Sequence, residues 1–162
     1  MPDERQLRNI FMEILRLWPP FLGAYRITTQ DIEVGDFHVP KGYGVLCATF
    51  AAHRDPDIFP NPESFLPSRW ETDNAEDADK MLGFGSGPHS CVGEQVMWDV
   101  MIHVSKEMVR RYTWDLPNHT TTSSETSETN SLAAMFPELD MKYLPVSRPR
   151  TLEPILIRER NC

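Results

Sequence analysis

The sequence predicts an α+β fold in which two amphipathic helices flank a small β-region. Three observations carry this. Leu7, Ile10, Phe11, Ile14, Leu15 and Trp18 recur at helical spacing and stop at Pro19-Pro20. Between residues 24 and 50 short extended runs alternate with turn residues. Val92, Val96, Val100, Val104 and Met108 then repeat every four residues toward a basic end. The chain has 162 residues, 40% hydrophobic and 25% charged, which suits one globular domain. A net charge of −8 argues against a nucleic-acid partner. Cys47, Cys91 and Cys162 form neither a disulfide framework nor a Cys-x-x-Cys pattern, so a reducing compartment is expected. No run reaches transmembrane length, and the first twenty residues carry Asp3, Glu4, Arg5, Arg8, Glu13 and Arg16. Neither a signal peptide nor a membrane segment is expected in this chain.

The first helix is predicted over residues 3–18. Asp3 with Gln6 three residues on forms a capping-box pattern at its start. Glu13 and Arg16, at i and i+3, fall on the face opposite the apolar stripe, where periodicity alone reads them as a solvated ion pair. Tyr25–Thr28 reads as a short strand. Ile32–Val34 and Phe37–Val39 flank Gly35-Asp36, a two-residue hairpin signal, and Tyr43–Phe50 reads as a longer strand.

Residues 51–83 are expected to hold a short helix and a meander. His53 near Asp55 and Asp57 has no spacing that supports a metal site, and an ordinary polar histidine on a capped short helix is the expectation. Glu71–Lys80 is acidic and expected to be exposed. After residue 92 a helix of some five turns should present a broad valine and methionine face and end with Lys106, Arg110 and Arg111 complementing its dipole. Tyr112–Leu116 and Ile155–Ile157 read as strands. The Ser/Thr/Glu/Asn-rich run 118–130 reads as a flexible loop. It opens on Asn118-His119-Thr120, a formal glycosylation sequon expected to go unused without a secretory signal.

The stretch with the most chemical content is Phe84-Gly85-Ser86-Gly87-Pro88-His89-Ser90-Cys91-Val92-Gly93. It is a turn-rich loop that presents one sulfur and runs into a helix. Unpaired N–H groups at a helix start favour an anion, so a thiolate there is a good nucleophile or metal ligand. Gly85, Gly87 and Gly93 carry no Cβ and let the backbone approach something flat and bulky. The bland alternative for Cys91 is a buried free thiol.

Phe84-x-x-Gly87-x-His89-x-Cys91-x-Gly93 is similar to the haem-binding signature of the cytochrome P-450 family. Two further stretches carry the resemblance. Glu13-Ile14-Leu15-Arg16, followed by Pro19-Pro20, resembles the family's Glu-x-x-Arg helix. Pro67-Ser68-Arg69-Trp70 resembles its Pro-Glu-Arg-Phe element, with Ser68 in place of Glu and Trp70 in place of Phe. The order of these motifs implies the C-terminal third of the mainly α cytochrome P-450 fold: Glu-x-x-Arg helix, small β-region, cysteine loop, proximal helix and terminal strands.

The resemblance implies that Cys91 is the axial ligand of the iron of haem b (iron-protoporphyrin IX). Phe84 would shield the sulfur and tune the site. His89 stands where most members have arginine and would donate to a propionate, with a shorter reach and a pH-dependent hold. Gly87 and Gly93 complete the cofactor-binding loop. Arg26 falls where many members place a propionate ligand, although an isolated arginine on a strand is as readily a surface residue. Glu13, Arg16 and Arg69 would form a buried structural triad, needing backbone carbonyls to offset its surplus positive charge. By the same analogy residues 20–25 and 133–136 would face substrate.

The implied function is that of a haem-thiolate monooxygenase fragment, inserting one oxygen atom from O2 into a lipophilic organic substrate with electrons from a reductase. No counterpart of the family's oxygen-activating acid-Thr helix is present in these residues, so the isolated segment is expected to lack a complete active site. Two other readings stay open: a fragment of a haem-thiolate isomerase or dehydratase, and a non-enzymatic haem-binding or degenerate protein. The resemblance further implies a cytoplasmic-side location, at the endoplasmic reticulum membrane through an N-terminal anchor outside this chain.

Overall fold

The computed structural model describes residues 2–71, 80–115, 141–142, 148–149 and 155–160. Helix α1 spans Glu4–Leu17. The Asp3 carboxylate accepts the Gln6 N–H at 2.7 Å while the Gln6 side chain accepts the Asp3 N–H at 3.1 Å, a reciprocal capping box. The helix closes where the Trp18 N–H reaches the Ile14 carbonyl at 2.8 Å, just before the two prolines.

Strands β1 (Ala24–Ile27) and β4 (Gly44–Cys47) pair antiparallel, as do β2 (Ile32–Val34) and β3 (Phe37–Val39) across the Gly35-Asp36 turn. Thr28 is buried and joins the two pairs. Its hydroxyl donates to the Pro40 carbonyl at 2.7 Å, and its N–H donates to the Tyr43 carbonyl at 3.0 Å. The long strand expected over Tyr43–Phe50 is shorter than its apolar pattern implied. It ends at Cys47, and Thr49–Ala52 turns into helix α2. The Phe50 N–H bonds to the Leu22 carbonyl, which returns this segment to the end of α1. Ala51 and Ala52 offer no branched side chain that would favour an extended continuation.

Helix α3 spans Glu94–Arg111 and runs into β5 (Tyr112–Asp115), which pairs antiparallel with β8 (Leu156–Glu159). Between them lie β6 (Met141–Lys142) and β7 (Arg148–Pro149), also antiparallel. The expectations for residues 118–130 and 131–136, and for most of the acidic stretch 71–80, lie outside the described residues.

The buried apolar side chains are Leu7, Leu15 and Leu17 of α1, Phe59 and Phe65 of the following segment, and Trp98 and Ile102 of α3. This corrects the face predicted for α3. Val96, Val100 and Val104 are exposed in this chain, and Val92 precedes the helix. The side turned to α1 is that of Trp98 and Ile102, four residues apart. Above Trp98 the Arg8 guanidinium stacks at 4.7 Å, and Lys106 Nζ meets Glu4 Oε2 at 3.0 Å. These contacts place the start of α3, and hence the cysteine loop, beside α1.

Candidate functional site

The site is built on Glu13 and Arg16, both fully buried. The solvated ion pair suggested by periodicity is overturned: the residues lie on the α1 face covered by residues 53–70. Arg16 meets the carboxylate with two parallel bonds, Nη2 to Oε1 at 2.9 Å and Nε to Oε2 at 3.0 Å. Arg69, on the short 3-10 turn Pro67–Trp70, brings its Nε to Oε1 at 3.0 Å. The Leu66 N–H reaches Oε1 at 3.0 Å, and the Trp70 indole N–H reaches Oε2 at 2.9 Å.

The one carboxylate thus accepts from Arg16, Arg69, Leu66 and Trp70. Backbone carbonyls balance the two guanidinium groups. Arg16 donates to His53, Pro62 and Ser64, and Arg69 donates to Pro60 and Asn61. Burial alone would raise the pKa of Glu13. The Arg16 hydrogen bond, the Leu66 N–H and the charges of Arg16 and Arg69 together outweigh it and hold the carboxyl below its ordinary 4.5.

His53 is the residue that spacing and composition missed. It is fully buried, not an ordinary polar residue on a capped helix, and α2 carries no side-chain cap. Its ring lies 5.9 Å from Phe59, edge to face. Its Nδ1 sits 3.3 Å from the Arg16 carbonyl, and its Nε2 accepts the Leu82 N–H at 3.0 Å. Burial is the main force lowering its pKa to about 4, and the charges of Arg16 and Arg54 push the same way. The signal in the sequence was the mostly apolar stretch Ala48-Thr49-Phe50-Ala51-Ala52 leading straight into it. Trp70 was also missed as a partner of Glu13, because a substitution of one aromatic for another hides the gain of an N–H donor.

The loop from Leu82 carries the sulfur. The Gly85 N–H bonds the Leu82 carbonyl at 3.0 Å, the Ser90 N–H the Gly87 carbonyl at 3.1 Å, and the Cys91 N–H the Phe84 carbonyl at 2.7 Å. Gly85 and Gly87 have φ of +74° and +61°, the left-handed region that favours glycine. An added Cβ at Gly85 would also lie 3.1 Å from the His89 carbonyl oxygen. Phe84 is half-buried, its ring 6.0 Å from that of Trp98.

Cys91 is exposed, and so are its neighbours from Gly85 to Val92. It lies just ahead of α3, whose first residue Glu94 donates its N–H to the Cys91 carbonyl. At Gly93 an added Cβ would stand 3.7 Å from Cys91 Sγ, an ordinary contact, so crowding does not demand glycine there. His89 is exposed at the end of the short turn Gly87–His89. Arg26 is exposed on β1 with its guanidinium on the Tyr25 carbonyl at 2.7 Å.

The structure therefore brings Glu13, Arg16 and Arg69 together in one buried cluster, and carries Phe84, Gly87, His89, Cys91 and Gly93 on the loop. Of the residues expected to face substrate, Phe21 and Tyr25 are exposed, and 133–136 lie outside the described residues. Among the described residues no group of three or more His, Cys, Asp or Glu could hold a metal ion. One sulfur cannot cage a bare transition ion, which needs several protein ligands. An exposed, lone sulfur on an open loop fits an iron that arrives with its own ring nitrogens.

The sequence model described as Cytochrome P450 matches residues 5–144. The chain is 38% identical over 96 residues to cyclooctat-9-en-7-ol 5-monooxygenase of Streptomyces melanosporofaciens, covering 58% of this chain and 21% of that protein. It is 34% identical over 112 residues to beta-amyrin 16-beta-monooxygenase of Platycodon grandiflorus, covering 68% of this chain and 23% of that one. The solved structure of retinoic acid bound cyanobacterial CYP120A1 superposes with a TM-score of 0.77 at 25% identity, over 96% of this chain and 33% of that one. The chain thus spans about a fifth of the length of these two curated relatives.

Proposed function

The chain belongs to the cytochrome P450 family, and we propose that it is the haem-thiolate portion of a monooxygenase acting on a lipophilic organic substrate. The observation that supports the reading is the exposed Cys91 sulfur on a glycine-rich loop whose entry, at Leu82, is tied through His53 to the buried carboxylate–guanidinium cluster. Cys91 would supply the thiolate ligand to the iron of haem b. When bound, the haem supplies the activation of O2 from which one oxygen atom enters the substrate. The electrons would come from a reductase partner. Two relatives bear the names of monooxygenases of cyclooctat-9-en-7-ol and beta-amyrin, which supports an organic substrate of low polarity.

The residues of this chain hold and insulate the ligand. Phe84, wedged against Trp98, would keep water from one side of the sulfur and strengthen its electrostatic influence on the metal. His89 would donate to a propionate from the loop, and Arg26 would give a second propionate contact from β1. Glu13, Arg16 and Arg69 would act on the scaffold and not on the cofactor. They fix residues 60–70 against α1, so that the loop is presented from a rigid base.

The test is spectroscopic. The chain is supplied with haem, reduced and exposed to carbon monoxide beside Cys91→Ala. A long-wavelength Soret band in the parent that is lost in the variant is the expected result. Identical spectra from the two proteins would sink the assignment of Cys91.

A further inference from the structure

The triad has no described hydrogen bond of its own to the cysteine loop; the connection runs through His53. The His53 carbonyl accepts Arg16 Nη1 at 2.8 Å. Its ring stands between two backbone groups that demand one tautomer. The Leu82 N–H can only donate, so Nε2 must offer a lone pair. The Arg16 carbonyl can only accept, so Nδ1 must carry the proton. From Leu82 the chain continues by two short steps. The Leu82 carbonyl takes the Gly85 N–H, and the Phe84 carbonyl takes the Cys91 N–H.

We infer that His53 is a positioning residue for Cys91, holding the entry of the cysteine loop on the Glu13–Arg16–Arg69 cluster through the neutral imidazole that accepts the Leu82 N–H. Apolar packing of Phe84 on Trp98 brings the loop to α3 but is non-directional. The Leu82 bond is directional and is made to a side chain with no exposure, so it sets where the loop departs. The depressed pKa of His53 agrees with this, since the ring keeps its lone pair at neutral pH. The consequence at the sulfur rests on the haem-thiolate reading; the effect on loop geometry does not.

Two substitutions separate the acceptor from the bulk of the ring. His53→Gln carries an oxygen close to the place of Nε2, whereas His53→Leu carries none. Amide hydrogen exchange is measured residue by residue on the full chain without haem. Reduced carbon-monoxide spectra are then recorded on each protein with haem added. In His53→Leu the Leu82, Gly85 and Cys91 amides should exchange at least about tenfold faster, with α1 and the β1–β4 ladder within about twofold of the parent. His53→Gln should restore most of that protection, and the long-wavelength Soret band should fall in His53→Leu and recover in His53→Gln.

Unchanged exchange in His53→Leu overturns the inference. So does equal loss in both variants, which would mean ring packing and not the acceptor, and so does failure of both to fold, which would mean support of the whole structure. A parent chain that takes up no haem would count against the cofactor reading while leaving the exchange result to decide the role of His53.

Discussion

Glu13 is the residue on which most of the site converges, and its surroundings make it intolerant of change. Removing the carboxylate leaves Arg16 buried with an uncompensated charge beside Arg69. Glu13→Ala should therefore cost about 3–5 kcal/mol, as for other broken buried pairs, measured by urea unfolding. Trp70→Phe removes only the indole donor to the carboxylate and should cost about 1–3 kcal/mol. A loss below half a kcal/mol would mean that the other donors already saturate Glu13.

Acid acts at the same residues. The folded pKa of His53 is depressed from 6.5 to about 4, so its contribution is full above 6.5 and lost as pH falls toward 4. The loss is on the order of 3 kcal/mol. Glu13 has the same sign, because its folded value lies below 4.5 and its contribution disappears as pH drops further. Stability followed from pH 7 to pH 4 should decline in the parent and be flatter in His53→Gln. A parent curve without slope in that window would contradict the buried neutral ring.

At the scale of elements, helix α1 was legible because its apolar repeat, capping box and terminal prolines agree with one another. The hairpin β2–β3 was legible from Gly35-Asp36. Helix α3 was placed correctly but its face was not. A row of valines at every fourth position drifts around a helix of 3.6 residues per turn, and burial went to Trp98 and Ile102. Trp98→Ala should then cost about 3–5 kcal/mol, while Val100→Thr stays within about 0.5 kcal/mol. Near-equal costs in thermal unfolding would show that the valine row is covered. Within the cysteine loop, Gly85→Ala should cost about 1–2 kcal/mol, because φ there is +74° and alanine resists it. Its signature is faster exchange at the Cys91 amide.

For the whole molecule, the distribution of apolar surface has consequences in solution. Tyr25, Ile27 and Phe37 in the β-region are more than 70% exposed, and the α3 valines are open as well. Exposed apolar side chains of this size favour association when nothing covers them. Light scattering on the chain should show concentration-dependent self-association, reduced in a variant carrying Tyr25→Ser, Ile27→Thr and Phe37→Ser. Undiminished association in that variant would place the sticky surface elsewhere. Among the described residues no helix is long and apolar enough to cross a membrane.

Local order along the chain was enough to reveal the helices, the hairpin, the sulfur-bearing loop and the family. Each of these is a pattern of neighbours: periodicity, turn chemistry, or ordered motifs. The early end of β4, the face of α3 and the burial of His53 were decided by the tertiary structure, and so was the burial of Glu13 and Arg16, which the family resemblance implied but periodicity did not. A charged or polar side chain reads as solvated until another segment supplies the donors and carbonyls that make its burial affordable. Here most of those groups come from residues 53–82, between 29 and 57 positions away in the chain. Only folding brings them within bonding distance.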